Sequence, residues 1–388
     1  MVIKSILITG GAGFIGQHLT RKLLTAGHSV RILDSFHPQI HGKDGDLVPD
    51  IQSKVDLIRA DIRDRGALIK ALSGIDTVVH LAAETGTGQS MYEIERYFSV
   101  NVQGTAILLD LLQNEDCAQH VKSIVVASSR AIYGEGAYQC PTHGIVYPNQ
   151  RERLQMEHGV FEPSCPVCGQ ASHLVPTHEK TPFKPMSVYG LTKQIQEQAI
   201  LLFAKTKGIN GFALRYQNVY GPGQSLKNPY TGILAVFSNL ARENLPIEIY
   251  EDGNESRDFV YISDVIEATF KCIDFQGNFI GALNVGSGVA TSVQEVASEV
   301  KNYFSSSSPT IVTGAFRIGD IRHNIADLSL AKEVLSFQPS VYFREGLANF
   351  LDWAKAQEIQ EKSGYFTSVK ELDARGLMGK RRQQSEQK

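Results

Sequence analysis

Residues 5–16 read SILITGGAGFIG, an apolar run that ends on Thr9 and opens directly into Gly10, Gly13 and Gly16, with a helical pattern starting at about Phe14. In this G-x-x-G-x-x-G spacing each glycine has a task. One lets the chain leave the strand sharply, one lets the backbone approach a pyrophosphate, and one lets the helix pack close to the sheet. The free N–H groups of the helix N-terminus then face the phosphates. A glycine triplet alone is a weak signal, but here the strand and helix flank it as the motif requires. Gly10, Gly13, Phe14, Ile15 and Gly16 are therefore candidate dinucleotide-binding residues. Asp34 follows the apolar run Val30 to Leu33, eighteen residues after Gly16, where a carboxylate can bind both hydroxyls of an adenosine ribose. A carboxylate there repels a 2′-phosphate, and no arginine immediately follows it in DSFHP, so the pattern favours NAD over NADP.

Outward from this stretch, short β-branched runs alternate with helical patterns. Ile6–Thr9, Val30–Leu33, Leu57–Ala60, Thr77–Ala82, Ser123–Ala127 and Gly211–Tyr216 read as strands, while Ser90–Gln113 and Ser187–Lys207 read as long helical stretches. That alternation implies an α/β fold with a doubly wound, Rossmann-type parallel sheet. Between Tyr133 and Tyr189 the pattern breaks into a segment rich in Pro, Cys, His and Gly, too long for an ordinary connection and too polar for a core. After Tyr220 the elements become shorter and mixed, as in a smaller α/β lobe that closes over the ligand edge of the sheet. The expected division is an NAD-binding domain over 1–217 with an insertion at 135–184, then a substrate-binding lobe over 218–360, part of which returns to the first domain. A polar extension over 361–388 is expected to fray.

Composition narrows the function classes. Of 388 residues 42% are apolar and 20% charged, and the net charge is -3, an ordinary globular balance with no basic footprint for nucleic acid. The run Lys380, Arg381, Arg382 reads as a solvated tail. No hydrophobic leader or stretch of about 18 uncharged apolar residues is present, so no membrane partner is expected and a cytoplasmic location is. Five cysteines, an odd number without a secretory signal, argue against a disulfide framework.

The catalytic candidates stand further along. Tyr189 and Lys193, in YGLTK, lie one turn apart at the start of a helix, which sets a cation beside a phenol. A phenol is a poor base at neutral pH, and a neighbouring ammonium together with a positive nicotinamide ring favours the phenolate. Tyr189 can then accept a proton from a substrate hydroxyl. Y-x-x-x-K by itself is ordinary helix surface; its position downstream of a dinucleotide fingerprint gives it meaning. Ser129 ends the apolar run of SIVVASSRAIYG, at the carboxyl edge of a parallel strand where open α/β sheets bind ligands.

Taken together, TGGAGFIG, Asp61-Ile62, HLAAET, NVQGT, ASSRAIYG, YGLTK, LRYQNVYGPG and RDFVYISD resemble the extended short-chain dehydrogenase/reductase family, and within it the NAD-dependent nucleotide-sugar epimerases. The resemblance spans nearly the whole chain. It implies that Asp61 and Ile62 border the adenine, that Ala82 and Asn101 help place the nicotinamide half, and that Tyr216 lines the cofactor. It also implies that Asn218, Arg257, Arg317 and Asp320 hold the diphosphate and ribose of a nucleotide-linked sugar, and that the enzyme is a homodimer joined through the helices that carry the Asn101 and Tyr189 motifs. Two arginines facing phosphates are chemically apt.

Within that family the residues after Ser129 separate the reactions. The 4,6-dehydratases carry an acidic pair at this strand end, the decarboxylases a glutamate where Ala131 stands, and the 3,5-epimerases a cysteine at Arg130 or Ala131; none of these is present. What remains is chemistry needing only Tyr189, Ser129 and NAD, which is epimerisation at C4 through a transient 4-keto sugar. The loop ETGTGQSMYEI and the insertion turn the resemblance towards the dTDP-L-rhamnose 4-epimerases. A UDP-glucose type of 4-epimerase, a 4-ketoreductase and a non-catalytic cofactor-sensing protein are the alternatives. The last usually loses the tyrosine or lysine, and this chain keeps both.

The insertion carries a separate signal. Cys140-Pro-Thr-His143 and Cys165-Pro-Val-Cys168 form a C-x2-H and a C-x2-C pair, and Gly169 suits the turn after the second. Two such knuckles fit a closed tetrahedral zinc site with no open position, hence a structural one. His158, His173 and His178 are alternatives to His143 as the fourth ligand.

Overall fold

The computed structural model describes residues 2–42, 45–226, 232–358 and 363–382. Seven strands, β1 (Ser5–Thr9), β2 (Ser29–Asp34), β3 (Asp56–Arg59), β4 (Thr77–His80), β5 (Ser123–Ser129), β6 (Asn210–Tyr216) and β7 (Ile280–Val285), form one sheet in the order β7-β6-β5-β4-β1-β2-β3. Every neighbouring pair is parallel. The apolar runs are continuous because both faces are covered. Ile6, Ile8, Val79 and Val125 join one buried cluster, while Leu7, Val78, Ile124 and Val126 join the other. Strand β7 comes from the second half of the chain. The strand order reverses between β1 and β4, which opens a crevice at the carboxyl ends of the strands.

The stretch expected as helix over Ser90–Gln113 is broken up. Short helices at Thr87–Ser90 and Ile94–Tyr97 lead into a π-helical turn, Phe98–Gln103, before α1 (Gly104–Asn114). The π turn carries Asn101, and such wide turns accommodate a side chain that must point away from the regular ladder. Helix α2 (Val188–Lys207) begins on Ser187, whose Oγ accepts from Gly190 N, so its first turn presents Tyr189 to the end of β5.

The lobe is mixed α/β. Asn218–Tyr220, Ser256–Tyr261 and Ala290–Ser292 form a sheet with one parallel and one antiparallel pairing, over a core that includes Phe237, Val296 and Phe350. The insertion has a three-stranded sheet of its own (Tyr138–Cys140, Gly144–Val146, His173–Leu174) and, contrary to the reading of it as too polar for a core, buries Tyr138, Cys140, Val146 and Cys165 together.

The carboxyl-terminal segment does not fray over the described residues. Ser363–Ala374 is helical, and Met378–Lys380 pairs antiparallel with Ala315–Arg317. Leu372 and Met378 are buried, and these two apolar contacts are what a polar overall composition conceals. The basic run is likewise not a free tail, because Lys380 lies in that strand, Arg381 N donates to Gly314 O and Arg382 pairs with Glu157 at 2.7 Å. Residues 361–362 and 383–388 of the expected extension lie outside the described residues. No helix among the described residues is long and apolar enough to cross a membrane.

Candidate active site

The crevice at the strand-order reversal is a cavity of about 600 Å³ that runs from Asp34 to Ser129, Tyr189 and Lys193. Its lining includes Gly10, Gly13, Phe14, Ile15, Gly16, Asp61, Ile62, Ala82 and Tyr216. Gly10 has φ +71°, and a Cβ there would sit 2.7 Å from the backbone nitrogen of Ala82; one on Gly16 would sit 2.5 Å from the carbonyl oxygen of Gly11. The first glycine lets β1 turn beside β4, and the other lets the helix Phe14–Thr25 lie against the loop.

Asp34 accepts from Ala12 N at 3.0 Å through Oδ2 and from Phe36 N at 2.8 Å through Oδ1, so one carboxylate ties the end of β2 to the glycine loop. His41 Nε2 stands 3.6 Å from Oδ1. His37, Ile40, His41 and Arg63, none of them singled out in the sequence, also line this end of the cavity. Asp61 is held by Arg63, which bonds both its oxygens at 2.7 Å. Donors and acceptors here suit the adenosine half of a dinucleotide, and the free approach to Gly13 suits its phosphates.

At the other end, Lys193 is buried and its Nζ donates to Ala127 O at 2.8 Å. Burial brings its ammonium down to about 7. Burial also pushes the Tyr189 phenol above its ordinary value, against a hydrogen bond with Ser129 and the positive charge of Arg130. Proximity in sequence suggested Lys193 as the cation that favours the phenolate. In the folded chain Lys193 Nζ points at a carbonyl, and the positive charge of Arg130 also draws the Tyr189 phenol down. Ser129 Oγ also accepts from Ala131 N at 3.2 Å.

Asn101 does not line the cavity. Its Oδ1 accepts from Glu84 N at 2.7 Å, and its Nδ2 donates to Glu84 O at 3.1 Å and to Thr192 Oγ1 at 2.9 Å, so it sets the loop after β4 against helix α2. His80 was not singled out in the sequence. It is fully buried beneath the site, within 2.7 Å of Thr9 Oγ1 and 3.0 Å of Thr105 Oγ1, and burial reinforced by Lys193 brings it to about 3, so its ring stays neutral. Its place in HLAAET marked the strand end but gave no sign of this role.

The residues expected to hold the diphosphate lie on the lobe side. Arg257 Nη1 donates to Ser256 O and Arg322 O, and its Nη2 to Ile321 O, at 2.9, 3.0 and 2.9 Å. Arg317 lies 4.0 Å from Asp320 and stacks over Tyr250. Asn218 Oδ1 accepts from Arg130 Nε at 2.9 Å. Arg130, unassigned from the sequence beyond not being acidic, thus lies between the catalytic candidates and the residues expected to hold the diphosphate, with burial and Arg257 bringing it down to about 10.

In the insertion, Cys140, His143, Cys165 and Cys168 converge, with one donor atom from each within 4.8 Å of every other. The structure brings in His143, not His158, His173 or His178. For a tetrahedral zinc, bonds of ~2.3 Å to sulfur and ~2.05 Å to nitrogen put S···S and S···N edges at ~3.8 and ~3.6 Å. The Cys140–Cys168 sulfurs are 3.7 Å apart, and His143 Nδ1 is 3.6 Å from both Cys140 and Cys165 Sγ. Gly169, at φ +72°, turns back to donate to Cys165 O at 2.9 Å. All five cysteines are free.

Fold and site together define a dinucleotide-dependent enzyme of the Rossmann class. More particularly, the chain belongs to the NAD dependent epimerase/dehydratase family, whose model matches residues 6–153 and 151–286. It is 40% identical over 363 residues to the dTDP-L-rhamnose 4-epimerase of Burkholderia thailandensis, covering 93% of this chain and 97% of that one. Among solved structures it resembles MoeE5 in complex with UDP-glucuronic acid and NAD, with a TM-score of 0.72, 30% identity and coverage of 90% and 99% of the two chains. The UDP-glucose 4-epimerase of Thermotoga maritima with UDP-glucose also superposes with a TM-score of 0.72, at 28% identity and coverage of 90% and 98%.

Proposed function

We propose that this protein interconverts C4 epimers of a nucleotide-linked sugar, and that its substrates are dTDP-L-rhamnose and dTDP-6-deoxy-L-talose. The observation that carries the reaction is the convergence of Ser129, Tyr189 and Lys193 at one end of a cavity that begins at Asp34, with no carboxylate at Arg130 or Ala131 beside Ser129. Without a carboxylate at either position, this strand end lacks the acidic pair that would serve dehydration. The substrate reading is supported by the rhamnose 4-epimerase relative and the GQSM loop.

NAD, when bound, supplies a hydride acceptor and then donor at the sugar C4. Tyr189 takes the proton from O4 as the 4-keto sugar forms and returns it once the other face of the ketone has been reduced. Ser129 hydrogen-bonds the reacting oxygen, and Lys193 anchors the first turn of α2 to β5 through Ala127. Arg257, Arg317, Asp320 and Asn218 would retain the nucleotide diphosphate while the sugar turns. Asp34, Asp61, Ile62, Ala82 and Tyr216 would hold the dinucleotide, with Asn101 acting through Glu84. The protein is read as a homodimer joined through α1 and α2, a reading supported by the exposure of Leu202. We further infer that Cys140, His143, Cys165 and Cys168 hold one structural zinc, since the Cys140–Cys168, Cys140–His143 and Cys165–His143 distances match tetrahedral edges and four protein ligands leave no position for substrate.

The test is incubation with a panel of nucleotide sugars in deuterated water, followed by NMR. The expected result is interconversion of the two deoxysugars with C4 still protiated, no deuterium at C3, C5 or C6, and no net consumption of NAD. Deuterium at C5, or stoichiometric use of the cofactor, would overturn the proposal.

A further inference from the structure

Arg257 is held by carbonyls of residues 321 and 322, and that strip of backbone is itself held from the insertion. Arg151 is buried, with its side chain 4% exposed, and its Nη2 donates to Asp320 O at 2.9 Å. Its Nε donates to Glu135 Oε1 at 3.0 Å, and its Nη1 reaches both oxygens of Glu251 at 2.8 Å. Glu135 is wholly buried, and its other oxygen accepts from Arg322 N at 2.8 Å. On one side of the strip, then, Arg151 takes the carbonyl of Asp320 and Glu135 takes the N–H of Arg322. On the other side, the carbonyls of Ile321 and Arg322 aim the guanidinium of Arg257. A planar guanidinium with five fixed donors is the side chain that can serve three such partners at once.

We propose that Arg151, acting through Glu135 and the backbone of 320–322, is a positioning residue for Arg257, and that the insertion thereby sets the affinity of the site for a nucleoside diphosphate. The chemistry recognised is the diphosphate, so the effect falls on binding of the nucleotide part rather than on NAD or on the proton transfer at Tyr189. This inference rests on the nucleotide-sugar reading given above.

The variants are Arg151→Lys, which keeps the charge but not the fork, and Glu135→Gln, a near-isostere that tests the same link should the first fail to fold. Arg257→Met is made alone and combined with each. Binding of UDP and dTDP to the NAD-loaded protein is measured by calorimetry, and bound NAD is quantified alongside. Both single variants should weaken the nucleotide that the wild type binds by tenfold or more while retaining NAD, and KM for a turned-over sugar nucleotide should rise by a larger factor than kcat falls. On the Arg257→Met background the same changes should cost less than twofold, because the residue through which they act is gone. Unchanged affinity in both single variants, or full additivity with Arg257→Met, overturns the positioning role. A wild type that binds neither UDP nor dTDP overturns the nucleotide-sugar reading, and the inference with it.

Discussion

Tyr189→Phe removes one oxygen and leaves the ring that helps shape the cavity. That oxygen interacts with Ser129, whose Oγ also accepts from Ala131 N at 3.2 Å. The cost in stability is that of one neutral hydrogen bond, about 0.5–1.5 kcal/mol. In a chain of this size it should move the thermal midpoint by no more than about 4 °C. Catalysis loses far more. The protein-borne proton acceptor for O4 is gone, and Lys193, held on the carbonyl of Ala127, cannot substitute. Positioned proton transfer contributes about 10²–10⁴-fold, so kcat should fall by about a thousandfold or more, close to 4 kcal/mol of barrier. The assay is the NMR time course of C4 epimers, with NAD quantified in the purified variant. NAD should remain, because Asp34 and the glycine loop at the far end of the cavity are untouched. A variant that holds NAD and works within tenfold of the wild type would refute the role given to the phenol.

Two further outcomes are expected. Elemental analysis should show close to one zinc per chain, and Cys165→Ser should lose it together with the protease resistance of residues 135–184, while a metal-free preparation with an ordered insertion would remove the zinc reading. Arg130→Met should shift the rising limb of kcat/KM against pH upward. The guanidinium lowers the Tyr189 phenol, its removal raises that phenol, and the phenolate needed as base then forms only at higher pH. An unmoved limb would show that Arg130 does not act on Tyr189.

The sheet and the cofactor end were legible because they rest on local rules. The apolar run of β1, the glycines at fixed spacing and Asp34 at the next strand end are each read within a few tens of residues, and the glycines and Asp34 line the same cavity. The C-x2-H and C-x2-C pairs were legible for a similar reason, since each knuckle is a turn of four residues. Which histidine completes the group was not, because that depends on how two distant turns meet. Lys193 shows the limit of reading spacing as contact. One helical turn sets it on the same face as Tyr189, yet its long side chain takes the carbonyl of Ala127 on β5, and Arg130 adds a positive charge that the spacing did not reveal.

From its sequence alone this protein declares a doubly wound sheet, a dinucleotide-binding glycine loop, a candidate Ser-Tyr-Lys set and an insertion with paired Cys/His turns, since periodicity, glycine sterics and short spacings are set by neighbours along the chain. Tertiary structure alone decides that Asn101 works through Glu84, that the carboxyl-terminal segment is anchored by Leu372 and Met378, and that a buried Arg151 joins the insertion to the backbone beside Arg257. A charge can be buried only where partners compensate its desolvation, and those of Arg151 include Glu251, a hundred residues away along the chain.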